Sequence, residues 1–292
     1  MSMADYVIMT DSCCDLSADM AEELELNVLP LRLEMEGRSY CNLLDGSEIG
    51  FKEFYDRVRG GAMPVTSAVN VGEFEAAMRP VLESGRDILC LCFSSALSTT
   101  YQSAVIAAKE LKEAFPGRNV LVVDSLCASM GQGLFVWLCV QEKRKGKTLE
   151  EVWDYAEGAK ANICHWFTVD DLNHLKRGGR VSATAALFGT MLSIKPVLHV
   201  DEQGRLIPVE KCRGRKASLL ALVDRIEKTA VEPERYPVFI SHGDCREDAD
   251  FVAEEVRRRL GVKEIYINYV GPVIGSHTGA GVMTLFFVGR SR

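Results

Sequence analysis

The stretch DILCLCFSSALSTTYQSAVIAAKELKEAF, residues 87–115, decides the fold of this chain. The apolar run Ile88–Cys92 predicts a buried strand over residues 87–93, and the apolar spacing that follows predicts a helix over 99–115. Five hydroxyl side chains lie at the junction between them, at Ser94, Ser95, Ser98, Thr99 and Thr100. A buried strand that leads at once into a helix is typical of a parallel α/β sheet.

The rest of the first half repeats this alternation of strands and helices. Its other predicted strands lie at residues 6–10, 27–35 and 119–125, and its other predicted helices at 15–26, 46–61, 71–85 and 126–145. Strands that alternate with helices predict a doubly wound, mostly parallel sheet. We assign residues 1–160 to this N-terminal α/β domain.

The second half changes character and predicts a second α/β domain, residues 161–292, with a mixed sheet and helices. Its predicted strands lie at 166–169, 195–200, 237–244, 264–271 and 284–289, and its predicted helices at 216–229 and 247–260. Two extended runs around residues 202–204 predict a hairpin.

Composition limits the classes of protein to which the chain can belong. The 292 residues carry a formal net charge of -7, with 47% hydrophobic and 26% charged residues, as in ordinary globular domains. No long run of Lys and Arg predicts a nucleic-acid surface, and no apolar run approaches the roughly 20 residues of a membrane span. Ten cysteines occur without a Cys-x-x-Cys pair, and residues 1–12 lack a basic leader. We therefore expect buried thiols in a reducing cytoplasm, with no zinc site and no secretion signal.

Short motifs that resemble known signatures fail on spacing. Gly146-Lys147-Thr148 has the end of a P-loop, but the glycine required five residues earlier is Gln141. Thr148 and Glu151 instead have the spacing of a helix capping box. Ser276 lies in GSHTG, which departs from the Gly-x-Ser-x-Gly pattern of a hydrolase nucleophile. The chain therefore carries no readable ATP, NAD or hydrolase signature.

Helix capping accounts for some of the polar side chains that precede helices. Thr99 and Asn70 each have a capping-box partner three residues further on. Two pairs are left over in the same loops, Thr66-Ser67 and Ser94-Ser95. Loops of this kind gather at the carboxyl ends of parallel strands, where helix N-termini and hydroxyl groups bind anions. The pairs indicate a carboxylate site without Lys or Arg, although a role in satisfying the loop backbone explains each pair slightly better when it is taken alone.

Histidines and basic residues are likewise open to two interpretations. His277 lies in a glycine-flanked segment between two apolar strands. It is either a turn residue or a donor to a bound carboxylate. We expect His165, His174 and His199 to serve packing, whereas His242 is ambiguous. The segments 175–182 and 211–216 concentrate Lys and Arg in an otherwise acidic chain, either as solvated charge or as a docking or phosphate-binding surface.

Several of these segments carry a resemblance to a known family. They are TDSCCDL, DGSEIGFKEFYDRV, MPVTSAVNVGEF, FSSALSTTYQSA, VDSLCASMGQG, LNHLKRGGRVS, SIKPVLHVDEQGRLIPVEKCRGRK and IGSHTGAG. In this order they resemble the DegV proteins, bacterial fatty-acid-binding proteins, along essentially the whole chain.

The resemblance implies two α/β domains with a long-chain fatty acid between them. By motif match, the carboxylate is held by Thr66, Ser95 and His277, with Ser67 and Ser94 beside them. The sequence departs from the family pattern in these loops and in the first one, at Cys13, Cys14, Ala68, Asn70, Ala96 and Thr99. These departures bear on the shape of the pocket and hence on acyl-chain preference.

The resemblance also implies a partner and no resident cofactor. A separate ATP-dependent fatty acid kinase subunit phosphorylates the bound carboxylate to an acyl phosphate for phospholipid synthesis, and the chain itself is not an enzyme. Arg177, Arg180 and Arg213 are then candidates for the kinase-docking surface.

Two other functions remain open at this point. One is a serine-type esterase or hydrolase that uses Ser94 or Ser95 with His277, although the orienting acid of such a triad is not assignable. The other is a structural or regulatory protein whose pocket is vestigial.

Overall fold

The structure is a computed structural model that describes residues 6–182 and 193–292. Residues 1–5 of the predicted N-terminal domain and 183–192 of the predicted second domain lie outside this part of the chain. The strands are β1 Tyr6–Asp11, β2 Asn27–Leu29, β3 Arg32–Met35, β4 Arg38–Cys41, β5 Val65–Ser67, β6 Asp87–Cys92, β7 Val120–Asp124, β8 Ile163–Thr168, β9 Ile194–Val200, β10 Leu206–Arg213, β11 Val238–His242, β12 Ile265–Tyr269 and β13 Met283–Val288. The helices are α1 Ala18–Glu23, α2 Phe51–Arg59, α3 Val71–Glu83, α4 Thr100–Ala114, α5 Met130–Arg144, α6 Leu149–Ala159, α7 Asn173–Arg177, α8 Arg215–Thr229, α9 Arg246–Leu260 and α10 Pro272–Thr278.

The first sheet consists of four parallel strands in the order β2-β1-β6-β7. Alternate residues of a strand point to opposite faces, so Val7 and Met9 enter one core while Tyr6 and Ile8 enter another. Helices α3 and α4 complete the first core, and α5 and α6 complete the second. This arrangement confirms the predicted doubly wound, parallel sheet.

The second sheet has six strands in the order β10-β9-β8-β13-β11-β12. Only β11 and β12 run parallel to each other, and the remaining neighbours are antiparallel. Strands β9 and β10 form the hairpin predicted around residues 202–204. The predicted mixed sheet is therefore confirmed.

A third, small antiparallel sheet in the order β4-β3-β5 was not predicted. The sequence predicts one strand over residues 27–35, which is wrong because the chain leaves the first sheet at Pro30. Proline has no N–H for a strand ladder, so β2 ends before it and β3 joins a different sheet. Thr66 lies in β5, opposite Leu33 of β3, and not at the carboxyl edge of the parallel sheet.

Helix α5 packs between the two large sheets. Its side chains share a core with Ile8 and Leu89 of the first sheet and with Phe239 and Phe286 of the second. A helix enclosed on most sides needs apolar residues around its circumference, which the sequence of α5 provides. Because this core crosses residue 160, the two halves pack as neighbours with shared apolar contacts, and the boundary between domains stays a prediction.

The helix caps differ in how well they follow the sequence. Asn70 and Thr148 form the predicted capping boxes of α3 and α6. Thr99 lies at the predicted N-cap position of α4, but the predicted capping box is wrong, because the Thr99 side chain makes no capping hydrogen bond. The Ser98 hydroxyl instead accepts the N–H of Thr100, 3.2 Å away.

All ten cysteines are free thiols. Cys41 and Cys245 are half-buried, and the others are buried, as expected from their apolar neighbourhoods. Within residues 6–182 and 193–292, no group of three or more Cys, His, Asp or Glu side chains is arranged to hold a metal ion. Over the same residues, every helix is too short or too polar to cross a membrane.

Candidate functional site

A cavity of about 430 Å³ lies between the first sheet and the second. This volume falls within the range of small-molecule sites, roughly 300–1,000 Å³. Most of its wall is apolar, and a few hydroxyl, imidazole and guanidinium groups interrupt it. The lining residues used below are Thr66, Ser67, Ala68, Ser95, Ala96, Leu97, Ala128, Ser129, His165, Arg180 and His277.

Thr66 and His277 contact each other at the wall of this cavity. The Thr66 Oγ1 and His277 Nε2 atoms are 2.8 Å apart, so β5 and α10 contribute one hydrogen bond between them. Of the two interpretations of His277, that of a turn residue is wrong, because residues 272–278 form helix α10 and His277 lies in its last turn. A proline at the first helical position and a glycine after the last are the sequence signal for this short helix.

The imidazole of His277 is neutral at neutral pH. Burial, followed by the positive charge of Arg180, lowers its pKa from 6.5 to about 4. A neutral imidazole carries one N–H, and with that hydrogen on Nε2 it donates to Thr66 Oγ1. The hydroxyl hydrogen of Thr66 then remains free to donate to an anion in the cavity.

Gly178 gives the His277 ring its position. It follows α7 with φ −71° and ψ −7°, a conformation that any residue adopts. A methyl group at this Cα would overlap Nδ1 of His277. The absence of a side chain at residue 178 is therefore a steric requirement of the neighbouring imidazole.

Arg180 lies in the wall of the cavity, and its predicted role in docking stays a prediction. Its Nε and Nη2 atoms donate to the Leu97 carbonyl oxygen at 3.1 and 3.0 Å, and Nη1 donates to that of Gly178. Among the described residues, no carboxylate forms an ion pair with it. Burial lowers the pKa of the guanidinium, which still remains charged. The cavity therefore has an uncompensated positive charge in its wall, which sequence reasoning missed.

The two serines after β6 occupy different places. Ser95 lines the cavity, with its backbone N–H 3.1 Å from Asp124 Oδ1. Ser94 is fully buried outside the lining, and its hydroxyl donates to the Gly204 carbonyl oxygen at 3.0 Å. The structure thus does not bring the Ser94 hydroxyl into the cavity, because the turn of the β9–β10 hairpin covers it.

The hydroxyl of Ser67 completes the predicted set. Ser67 lines the cavity mouth at the end of β5 and is exposed. Its partner in the strand register is Arg32 of β3. Of the five predicted ligand residues, the structure brings Thr66, Ser67, Ser95 and His277 to one cavity and leaves Ser94 behind its wall.

His165 of β8 is a cavity residue that the sequence assigned to packing alone. Its Nε2 accepts the N–H of Ala128 at 3.2 Å, which leaves Nδ1 to donate to the Ile163 carbonyl oxygen at 2.9 Å. Burial lowers its pKa well below 6.5, so the ring is neutral. With both nitrogen atoms engaged, His165 offers the cavity only its carbon atoms.

The other two predicted docking arginines are exposed. Arg177 lies at the end of α7, where its Nη2 is 2.8 Å from His174 Nδ1 and its Nη1 is 3.4 Å from Met63 Sδ. Arg213 lies at the end of β10, opposite Ile194. Their role in docking stays a prediction.

Comparison with known proteins identifies the family. A sequence profile of the DegV family of uncharacterised proteins matches residues 5–290. A DegV domain-containing protein of Clostridium perfringens is 45% identical over 290 residues, which are 99% of each chain. The chain belongs to the DegV family.

Solved DegV structures share the architecture described above. A DegV family protein from Thermus thermophilus, reported for its fatty acid binding, is 33% identical, with a TM-score of 0.88 over 98% of this chain and 99% of that one. A Thermotoga maritima protein reported to reveal a fatty acid binding function is 30% identical, with a TM-score of 0.85 over 98% and 99% of the two chains. These matches confirm the DegV-like fold class.

The residues that depart from the DegV pattern do not all reach the cavity. Cys13 and Cys14 pack into the two cores on either side of the first sheet. Asn70 caps α3 from outside. Ala68 and Ala96 line the cavity, and a small side chain there leaves room that a larger one would fill.

The DegV site does not have the arrangement of a serine hydrolase. In the described part of the chain, His277 Nε2 has Thr66 as its hydrogen-bond partner, and the Ser94 hydroxyl is bound to Gly204. A hydrolase needs the serine hydroxyl on the imidazole and an acid on the other ring nitrogen. No specific observation favours that alternative.

Proposed function

We propose that this protein binds a long-chain fatty acid in the cavity between its sheets. The acyl chain lies along the apolar wall, and the carboxylate accepts hydrogen bonds from Thr66 and Ser95, with Ser67 at the mouth. His277 lies beside the carboxylate and orients the Thr66 hydroxyl. Arg180 supplies the opposing charge. The sequence also assigned Ser94 to the ligand, but its hydroxyl lies behind the cavity wall and donates to the Gly204 carbonyl oxygen.

The observation that carries the proposal is the Thr66–His277 contact beside the free charge of Arg180. A carboxylate that leaves water must recover its hydrogen bonds, and each bond to a charged group is worth about 1.5–3 kcal/mol. The methylene groups contribute about 0.8 kcal/mol each when buried. The acyl chain then supplies most of the affinity, and the polar groups fix which end enters first. The reported fatty acid binding of two relatives with the same fold supports this assignment.

Mass spectrometry under denaturing conditions tests the binding. Protein purified from its own host should release an intact fatty acid, and delipidated protein should bind oleate or palmitate in a titration. Ester turnover that disappears in Ser95→Ala, together with no bound lipid, would overturn the proposal in favour of a hydrolase.

We further propose that the bound acid is presented in the cytoplasm to a separate ATP-dependent kinase subunit, which forms an acyl phosphate for phospholipid synthesis. The chain has no nucleotide motif of its own, and Arg177 and Arg213 are exposed cations in an acidic protein. Such a surface is suited to an acidic partner.

Arginine substitutions separate docking from lipid binding. Arg177→Ala should leave oleate affinity unchanged and slow acyl-phosphate formation by the kinase subunit. Arg180→Ala should weaken oleate binding itself. Arg235→Ala, at another exposed arginine, is the control and should change neither. Normal phosphorylation with Arg177→Ala would place the docking surface elsewhere.

A further inference from the structure

The backbone of Ser95 is held by a carboxylate from the neighbouring strand. Asp124 is the last residue of β7, which runs parallel to β6, with Cys92 opposite Asp124 in the register. The Oδ1 atom of Asp124 accepts the Ser95 N–H at 3.1 Å. That N–H is therefore engaged within the protein, and Ser95 meets the cavity through its side chain.

The same oxygen atom also organises the loop that follows β7. Asp124 Oδ1 accepts the N–H of Leu126, also at 3.1 Å. Leu126 and Ser129 have φ values of 54° and 53°, a left-handed region that residues with side chains rarely adopt. Arg292 donates to the Leu126 carbonyl oxygen. This loop brings Ala128 and Ser129 to the cavity wall, so one carboxylate oxygen fixes two loops of the site.

We propose that Asp124 is a positioning residue for fatty-acid binding, which sets the place of the Ser95 hydroxyl without touching the ligand. The inference rests on the proposed function. In this role the position of the Asp124 oxygen atom matters and its negative charge does not help, because a carboxylate beside the site of an anionic ligand is electrostatically unfavourable. What Asp124 contributes is an acceptor oxygen at one place.

A pair of substitutions at residue 124 distinguishes these contributions. Asp124→Asn keeps an acceptor oxygen in the same position and removes the charge, so oleate affinity should equal or exceed that of the wild type. Asp124→Ala removes the acceptor, and affinity should fall roughly 10- to 100-fold, because the Ser95 hydroxyl loses its fixed position. Asp124→Glu keeps the charge but displaces the acceptor, and it should also weaken binding.

A double-mutant cycle shows whether Asp124 acts through Ser95. We expect the variant with both Ser95→Ala and Asp124→Ala to bind oleate nearly as well as Ser95→Ala alone, since the second change removes support for a hydroxyl that is already absent. A general structural role would instead make the two losses multiply.

Asp87 provides a matched control at the opposite end of the same two strands. It is half-buried like Asp124, and its Oδ1 accepts the N–H of Asn119 at 2.9 Å. Asp87→Ala should lower the melting temperature and leave oleate affinity unchanged.

The outcomes separate this inference from the proposed function. Wild-type affinity in Asp124→Ala, with weakened binding in Ser95→Ala, would overturn the inference and leave the proposed function intact. Failure of the wild-type protein to bind oleate would overturn the proposed function. If Asp124→Ala does not fold, wild-type affinity in Asp124→Glu or reduced affinity in Asp124→Asn overturns the positioning role.

Discussion

The Nε2 atom of His277 lies 2.8 Å from Thr66 Oγ1, although 211 residues separate them in the sequence. One belongs to a three-residue strand of the small sheet, and the other to the last turn of a seven-residue helix. Their hydrogen bond joins the two halves of the chain at the wall of the cavity. It places a hydroxyl donor and an imidazole at the same polar end of an apolar cavity.

Replacing Thr66 by valine should weaken fatty-acid binding and leave the fold intact. Valine keeps the shape of threonine and removes the hydroxyl, which deprives the carboxylate of one hydrogen bond worth about 1.5–3 kcal/mol. Oleate affinity should fall roughly 10- to 150-fold in a calorimetric titration. Thr229→Val is the control, because that hydroxyl bonds to the Arg225 carbonyl oxygen on α8, away from the cavity lining. Equal affinities in Thr66→Val and wild type would contradict the site.

Replacing Ser94 by alanine should reduce stability more than affinity. The change leaves the buried carbonyl oxygen of Gly204 without its donor, which costs about 1–3 kcal/mol of unfolding free energy. Chemical denaturation measures this loss. Ser95→Ala is the matched control, which should lose more oleate affinity than stability. If Ser94→Ala lost more oleate affinity than stability, the Ser94 hydroxyl would be a ligand contact after all.

The sequence was sufficient for the α/β alternation, because buried strands and amphipathic helices follow local periodicity. It also identified the caps at Asn70 and Thr148, whose partners lie three residues away. It could not assign Thr66 to a sheet, because a three-residue strand depends on distant pairing with β3. Nor could it separate Ser94 from Ser95, since the difference comes from a hairpin turn 110 residues further along. The sequence assigned Arg180 only to a docking surface for the same reason, because charge is visible in a sequence but burial against a cavity is not.

Asp15 should make stability fall as the pH rises. Burial raises the pKa of its carboxyl from 3.8 to about 8, against the hydrogen bond from Ser129 that favours the charged form. The folded protein then keeps a proton that the unfolded chain releases near pH 4, so the contribution of Asp15 to the free energy of unfolding decreases between about pH 4 and pH 8.

Asp15→Asn removes that proton and should flatten this decrease, making the variant the more stable protein at pH 8. Urea denaturation across this pH range measures the difference. Burial lowers the pKa values of His242 and His277 to about 4, which makes stability rise with pH in both proteins. These two effects cancel when the stability of the wild type is subtracted from that of the variant. Asp19→Asn, at an exposed position of α1, controls for the change in net charge. A constant difference between Asp15→Asn and wild type over the whole range would contradict the assignment.

Replacing Gly178 by alanine tests whether the position of the His277 imidazole matters. The backbone at residue 178 accepts alanine without strain, but the new methyl group would overlap Nδ1 of His277. The ring must then move, and its hydrogen bond to Thr66 is lost. Oleate affinity should fall about as far as in His277→Ala, and the far-ultraviolet circular dichroism spectrum should not change.

Gly158→Ala offers the same substitution without the collision. Gly158 lies in α6, where a methyl group would meet no atom within 4 Å. Alanine is the better helix former, so this variant should gain roughly 0.5–1 kcal/mol of stability and keep wild-type affinity. Affinity is then lost only where the added methyl group displaces the imidazole. Wild-type oleate affinity in Gly178→Ala would mean that carboxylate binding does not depend on the position of the His277 imidazole.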